Sequence, residues 1–227
     1  MRAASYIGAA RRVGNPRYRK AVITVHGLKT TGAWQKVVNA PLSDADIRHI
    51  PVDYGYRLLP GSTHRVLRRI MRAYDDHRAH DDRLRISVIA HSFGTLGFGR
   101  TLQRQPAIRF DRAILYGSVL PKDFDWSNVR EEEQVRKVLH ETCPSDWIVY
   151  CAGLLPHAGS SGCTGFTDLA DGLVEQRTYS YTGHAALGTV LHCEKVWIPF
   201  LLNGTLTPKR PKPFAKLAEP SQRPTSE

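Results

Sequence analysis

One short segment constrains this chain more than any other: Ile86-Ser87-Val88-Ile89-Ala90-His91-Ser92-Phe93-Gly94-Thr95. Its apolar, β-branched first half reads as a buried strand, and the residues after the serine continue into a helix that ends near Pro106. Ser92 therefore stands at a strand-to-helix turn. Side chains two places before and two places after such a turn collide unless they are small, and Ala90 and Gly94 are small. The turn lifts the hydroxyl clear of the sheet at the positive end of the next helix, which is where an activated nucleophile belongs. A serine also makes a good N-cap. The strand before it, the helix after it and a His-Gly turn upstream favour the nucleophile. His91 is directed elsewhere by the turn and reads as a packing or hydrogen-bonding neighbour.

Around this segment strands alternate with helices. Lys20 to Val25 is a β-branched run stopped by His26-Gly27. Ile47 to Tyr54 is a weaker strand, Ala113 to Gly117 a strong one, Val135 to Thr142 a charged candidate, and Arg177 to Tyr181 a short last strand. Val66, Leu67, Ile70, Met71 and Tyr74 recur at helical spacing, predicting a helix over Ser62 to Tyr74 with arginines on its other face. A further helix opens at Ser145-Asp146-Trp147 and closes by Gly153 and Pro156. The Gly-, Ser- and Asp-rich stretch from His157 to Gly172 reads as a long surface loop. A closing amphipathic helix from Ala185 to Leu202 is expected to bury Leu187, Val190, Leu191, Val196, Trp197 and Phe200. This alternation predicts an α/β fold, a three-layer α/β/α sandwich around a mostly parallel sheet. With 227 residues there is room for one such domain, expected over 20–202, between a basic N-terminal arm (1–19) and a disordered, Pro-rich basic tail (203–227).

Composition narrows the function classes. No run approaches the roughly 18 apolar residues of a membrane span, and the basic N-terminus has no apolar stretch behind it as a secretory signal would. The cysteines Cys143, Cys151, Cys163 and Cys193 form no CxxC pair and read as reduced thiols of a cytoplasmic protein. The formal charge of +11 gathers on the arm, on the tail and at Arg65, Arg68, Arg69 and Arg72. No aromatic residues alternate with these charges, so nucleic acid is not expected as a partner. Solvation explains most of the charge, and attraction to an anionic membrane surface is the other reading. The histidines lack HExxH spacing and no Gly-rich phosphate loop is present, so neither metal nor organic cofactor is expected.

Acyl transfer needs two backbone N–H donors aimed at the oxygen that becomes negative. The N–H of Phe93, directly after Ser92, is one. The turn Val25-His26-Gly27-Leu28 supplies the other from Leu28, with His26 bracing the loop. The order of His-Gly loop, Ala-His-Ser-Phe-Gly turn, aspartate and Gly-His before a closing helix resembles the α/β-hydrolase superfamily. It is most similar to small lipase-like serine esterases with little or no cap domain, over about Lys20 to Leu202. Only about twenty residues precede the His-Gly strand, so the sheet is expected to be truncated at that edge.

The resemblance implies a triad in the order serine, acid, histidine. His184 lies between the last strand and the closing helix and fits the base better than His157 or His192. Asp146 is the expected acid, although it equally suits a helix N-terminus. Asp123 and Asp125 are alternatives, with Asp168 and Asp171 further ones. The implied reaction cleaves carboxylic esters through an acyl-enzyme, with a small-molecule or lipid ester as substrate. A serine in this place argues against dehalogenase or epoxide-hydrolase chemistry. Trp34, Tyr54, Tyr56, Leu58, Leu59, Phe93 and Trp126 are available for an acyl pocket or for the core. Two alternatives stay open: an amide or peptide hydrolase with the same triad, and a non-catalytic binding module on this scaffold.

Overall fold

A computed structural model describes residues 18–27, 32–55, 62–153, 157–180 and 183–206. The basic arm through residue 17 and the tail from residue 207 lie outside the described residues, as do Leu28, Tyr56, Leu58, Leu59, Pro156 and Tyr181. Strands β1 (Lys20–Val25), β2 (Ile47–Val52), β3 (Arg85–His91), β4 (Ala113–Tyr116), β5 (Val138–Thr142) and β6 (Val174–Thr178) form one sheet. Its order is β2-β1-β3-β4-β5-β6 and every neighbouring pair is parallel. Parallel neighbours need crossovers, and helices provide them. These are α1 (Ala33–Asp44), α2 (Ser62–His80), α3 (Phe93–Arg104), α4 (Trp126–Glu131), and α5 (Trp147–Ala152) with α6 (Ser161–Thr164). After β6 come α7 (Val190–His192), a π-helical turn (Cys193–Trp197) and α8 (Ile198–Asn203).

Strand alternation sends side chains to two cores, one on each face. Ala21, Ile23 and Val25 of β1 join Val88 and Ala90 of β3 beneath Val66 and Ile70 of α2 and Leu96 and Phe98 of α3. Val22 and Ile89 point the other way, into Trp34 and Val38 of α1 and Trp197 and Phe200 of the closing helices. The result is the expected three-layer α/β/α sandwich. No helix among the described residues is long and apolar enough to cross a membrane.

Several local expectations are corrected. The closing helix does not begin at Ala185. Residues 184–187 form a turn, and Gly188 packs so closely on Trp34 that a Cβ there would lie 2.8 Å from the Trp34 Cβ. The Thr189 hydroxyl then accepts the His192 N–H at 3.2 Å and starts a new helix. Late initiation and the wider π turn rotate the apolar stripe, so Val190 and Leu191 are exposed while Cys193, Trp197 and Phe200 are buried. The last strand runs Val174–Thr178 instead of Arg177 to Tyr181. Its buried start, Leu173-Val174, sets the register against Val138, which donates to Leu173 O at 2.8 Å.

The stretch from His157 to Gly172 is not all surface. Ser161 and Phe166 are buried, Ser161 donates to Ser118 Oγ at 2.9 Å, and Phe166 packs on His140 and Trp126. β5 begins at Val138, with Val135 contributing only an isolated bridge to Phe110. α2 runs on past Tyr74 to His80, held there by Arg78, whose guanidinium lies over the Tyr74 ring.

Candidate active site

Strand order reverses direction at the β1/β3 pair, since the chain leaves β1 toward β2 on one side and returns to β3 on the other. In an open parallel sheet the crevice at such a point, outside the carboxyl ends of the strands, is where ligands bind. Gly27 follows β1 and Ser92 follows β3 at that crevice. Ser92 adopts φ 54° and ψ −125°, a sparsely populated conformation for a residue with a side chain, of the kind that persists when the surroundings enforce it. Here they do. The Ser92 N–H donates to Tyr116 O at 3.1 Å, and a Cβ on Gly27 would sit 2.8 Å from the Ser92 Cβ. A Cβ on Gly94 would meet Val25 O at 2.7 Å and His26 O at 2.8 Å. The small residues at the turn are thus required by backbone approach between α3 and β1.

The structure brings Ser92, His184 and Asp146 together. Ser92 Oγ–H donates to His184 Nε2 at 2.9 Å, and His184 Nδ1–H donates to Asp146 Oδ2 at 2.8 Å. Asp146 also stands at a helix N-terminus: its other oxygen caps α5 by accepting the Val149 N–H at 3.2 Å. The Asp146 side chain is 2 % exposed and that of His184 15 %, so the carboxylate is withdrawn from water while the imidazole borders it. The alternative acids lie elsewhere. Asp125 caps α4 through Asn128 N at 2.9 Å, Asp123 is exposed, Asp168 accepts from Ser127 Oγ and Asp171 faces Arg130 at 3.6 Å.

Two neighbours hold the imidazole in place. His91 Nε2–H donates to His184 O at 3.0 Å, and the His91 ring stacks on Tyr116 with centroids 4.4 Å apart. Burial pushes the His91 pKa down to about 3, with the nearby His184 opposing protonation further. It therefore stays neutral beside the His184 imidazole. The second neighbour is Gly117, which sequence reasoning treated only as the end of a strand. It has φ 53°, and a Cβ there would come within 3.1 Å of His184 Cε1. The signal available was a glycine directly after a strand whose neighbour carries the serine turn.

Phe93 is the first residue of α3, so its N–H is among the amides without an intrahelical acceptor. His26 braces the loop from below: Nδ1–H donates to Gly27 O at 2.6 Å, the ring stacks on Tyr54 at 4.4 Å, and Tyr54 OH donates to His26 O at 2.6 Å. Of the apolar side chains considered for a pocket, Trp34 and Trp126 belong to the cores, and the partly buried Phe93 faces Tyr54 at 6.3 Å.

A second buried carboxylate was not anticipated from sequence. Glu141 near the end of β5 accepts from His192 Nε2 and from Trp197 Nε1, each at 2.8 Å. It ties the closing helices to the sheet, and His192 is thereby committed away from Ser92.

No known protein-family model matches the sequence, and no curated protein matches it either. Solved structures do match the fold. A serine hydrolase of the α/β class without a lid from Xanthomonas campestris aligns at TM-score 0.54 and 13% identity, covering 87% of this chain and 88% of that one. A lipase in its open form aligns at TM-score 0.58 and 12% identity, covering 81% and 90%. A cold-adapted esterase from an Arctic intertidal metagenomic library aligns at TM-score 0.51 and 14% identity, covering 78% and 82%. With its parallel six-stranded sheet, its helices on both faces and a serine turn at the strand switch, this chain has the α/β-hydrolase fold.

Proposed function

We propose that the chain is a serine hydrolase of carboxylic esters, with Ser92 as nucleophile, His184 as base and Asp146 as the acid that orients it. The hydrogen-bonded line from Ser92 Oγ through His184 to Asp146 is the observation that carries this reading. As Ser92 Oγ bonds to the substrate's carbonyl carbon, its proton passes to His184 Nε2. The imidazolium so formed is stabilised across 2.8 Å by Asp146. The carbonyl oxygen, now negative, accepts from the Phe93 N–H at the positive end of α3; the second donor expected from the sequence, the Leu28 N–H, lies outside the described residues. Collapse expels the alcohol, which takes the proton from His184. Water then attacks the acyl-enzyme as His184 removes its proton, and His184 returns that proton to Ser92 Oγ as the bond to the acyl group breaks and the carboxylic acid departs.

An apolar acyl group suits the surroundings. Trp147, Ile148 and Tyr150 are exposed on α5, the helix that Asp146 itself caps. Among the described residues, only the six-residue α4 is helical between β4 and β5, so the site is read as open, without a cap. A lipid ester presented at an anionic surface, with Arg68, Arg69 and Arg72 exposed on α2, is the substrate class we favour. Paired ester and amide substrates with the same acyl group test the reading. Turnover of the ester, abolished by Ser92→Ala, is expected; preferential turnover of the amide would replace esterase by amidase, and no turnover of either would overturn it.

A further inference from the structure

At the opposite end of the sheet, roughly 20 Å down β3 from Ser92 at about 3.3 Å per residue, is a cavity of about 660 Å³. Arg78, Arg85, Arg109, Arg130 and Arg136 reach it from five separate segments, over the buried core residues Ile86, Phe110 and Leu173. The carboxylates there are Asp111, Glu133 and Asp171, so positive charge is in excess. Much of the negative charge is already engaged. Asp111 alone serves Arg112 at 2.8 Å, Lys20 at 3.6 Å and Arg136 at 3.7 Å. Asp171 is almost fully exposed and faces Arg130. Arg85 is exposed; its N–H donates to Arg19 O at 3.1 Å, while its guanidinium makes no hydrogen bond or ion pair to the other described residues.

Lys20 and Arg112, which share Asp111 with the cavity's Arg136, feel the surrounding positive charge. Lys20 is pushed below its ordinary pKa by burial and then by Arg112, with Asp111 opposing. Arg112 is likewise lowered by burial, with Asp111 opposing and Arg136 and Arg85 adding to the lowering. A bound anion would relieve that repulsion, and nothing in the hydrolysis of an ester calls for such a group at this end of the sheet. Guanidinium forks match phosphate oxygens in pairs, and the volume lies in the range of small-molecule sites. We infer that this cavity binds a soluble phosphorylated ligand, an organic phosphate whose charges meet Arg85 and Arg136. The concavity, walled by several segments, favours a free phosphate over the headgroups of a flat bilayer.

Calorimetric titration of the full chain with inorganic pyrophosphate, at about 0.15 M ionic strength to screen diffuse attraction, tests this inference. Saturable one-to-one binding is expected. Arg85→Gln and Arg136→Gln should each weaken it about tenfold, as loss of one charge-assisted contact does. Arg68→Gln, about 15 Å along α2 from Arg78 at about 1.5 Å per residue, should leave it unchanged, as should Ser92→Ala. Anionic phospholipid vesicles and a single-stranded RNA of matched charge form the other two arms. The inference is overturned if no saturable binding occurs at millimolar pyrophosphate, or if Arg68→Gln weakens binding as much as Arg85→Gln. Binding of vesicles or RNA without pyrophosphate would overturn it equally. The ester assay is independent of these outcomes, so the site stands or falls apart from the proposed activity.

Discussion

Replacing Asp146 by asparagine separates two things that its carboxylate does. Oδ1 accepts the Val149 N–H at 3.2 Å and caps α5, while Oδ2 accepts the His184 Nδ1–H at 2.8 Å. Asparagine retains an oxygen for the cap and ranks with aspartate as a capping residue. On the other side it turns an NH₂ toward an N–H. The imidazole escapes that clash only by moving its proton to Nε2, where it can no longer take the serine's proton. A triad acid lost in this way lowers kcat by about four orders of magnitude, equivalent to about 5.4 kcal/mol of transition-state stabilisation. Alanine removes the cap as well, which costs about a further 1 kcal/mol of stability and lowers Tm by about 2–4 °C in a chain of this size. Asp146→Asn should therefore lose turnover of p-nitrophenyl acetate with Tm close to the parent's, and Asp146→Ala should lose both. The reasoning is refuted if Asp146→Asn keeps more than about a tenth of parental kcat, a loss too small for a triad member. It is refuted equally if Asp123→Asn or Asp125→Asn produces the collapse instead.

Three other perturbations probe the same architecture. Gly117→Ala places a Cβ 3.1 Å from His184 Cε1 at φ 53°. Turnover should fall because the imidazole must give way by a few tenths of an ångström, with about 1–2 kcal/mol lost to the left-handed backbone; unchanged kinetics would show that His184 tolerates displacement. His91 and His140 are fully buried with pKa values pushed by burial to about 3 and about 4. Their contribution is complete above the unfolded value near 6.5 and lost as pH falls toward the folded values. Near pH 5 urea unfolding should report a loss of about 2.7 kcal/mol per pH unit from the two together, and a flat profile between pH 6 and 4.5 would contradict their neutrality. Finally, replacing exposed Trp147 and Tyr150 with serine should weaken turnover of vesicle-borne esters while sparing a short soluble ester; equal loss on both would remove the apolar-surface reading.

The serine turn was legible because its determinants are covalently close: a β-branched strand, small residues at Ala90 and Gly94, and a helix directly after. The convergence of Asp146 and His184 on Ser92 followed from chain order around a parallel sheet, where the ends of β3, β5 and β6 share one edge. What escaped depends on contacts between distant segments. Nothing local in Ala185 to Leu202 announces that Gly188 must dock on Trp34, yet that docking delays the helix and rotates its buried face. The Glu141, His192 and Trp197 cluster joins residues more than fifty positions apart, one of them on a π turn whose register no 3.6-residue pattern anticipates. Arg177 to Tyr181 alternates like a strand, but the buried Leu173-Val174 pair governs the register. Gly117 carries only the weak signal of a glycine directly after a strand, and its contact with His184 shows only in the fold.

The central claim is that Ser92 is the nucleophile. Incubating the protein with a fluorophosphonate and mapping the adduct by peptide mass spectrometry tests it most directly. The account predicts a single phosphonyl group on Ser92, formed at the rate at which ester turnover is lost and absent from His184→Ala. An adduct on another residue, or full loss of ester turnover with Ser92 unmodified, would contradict it.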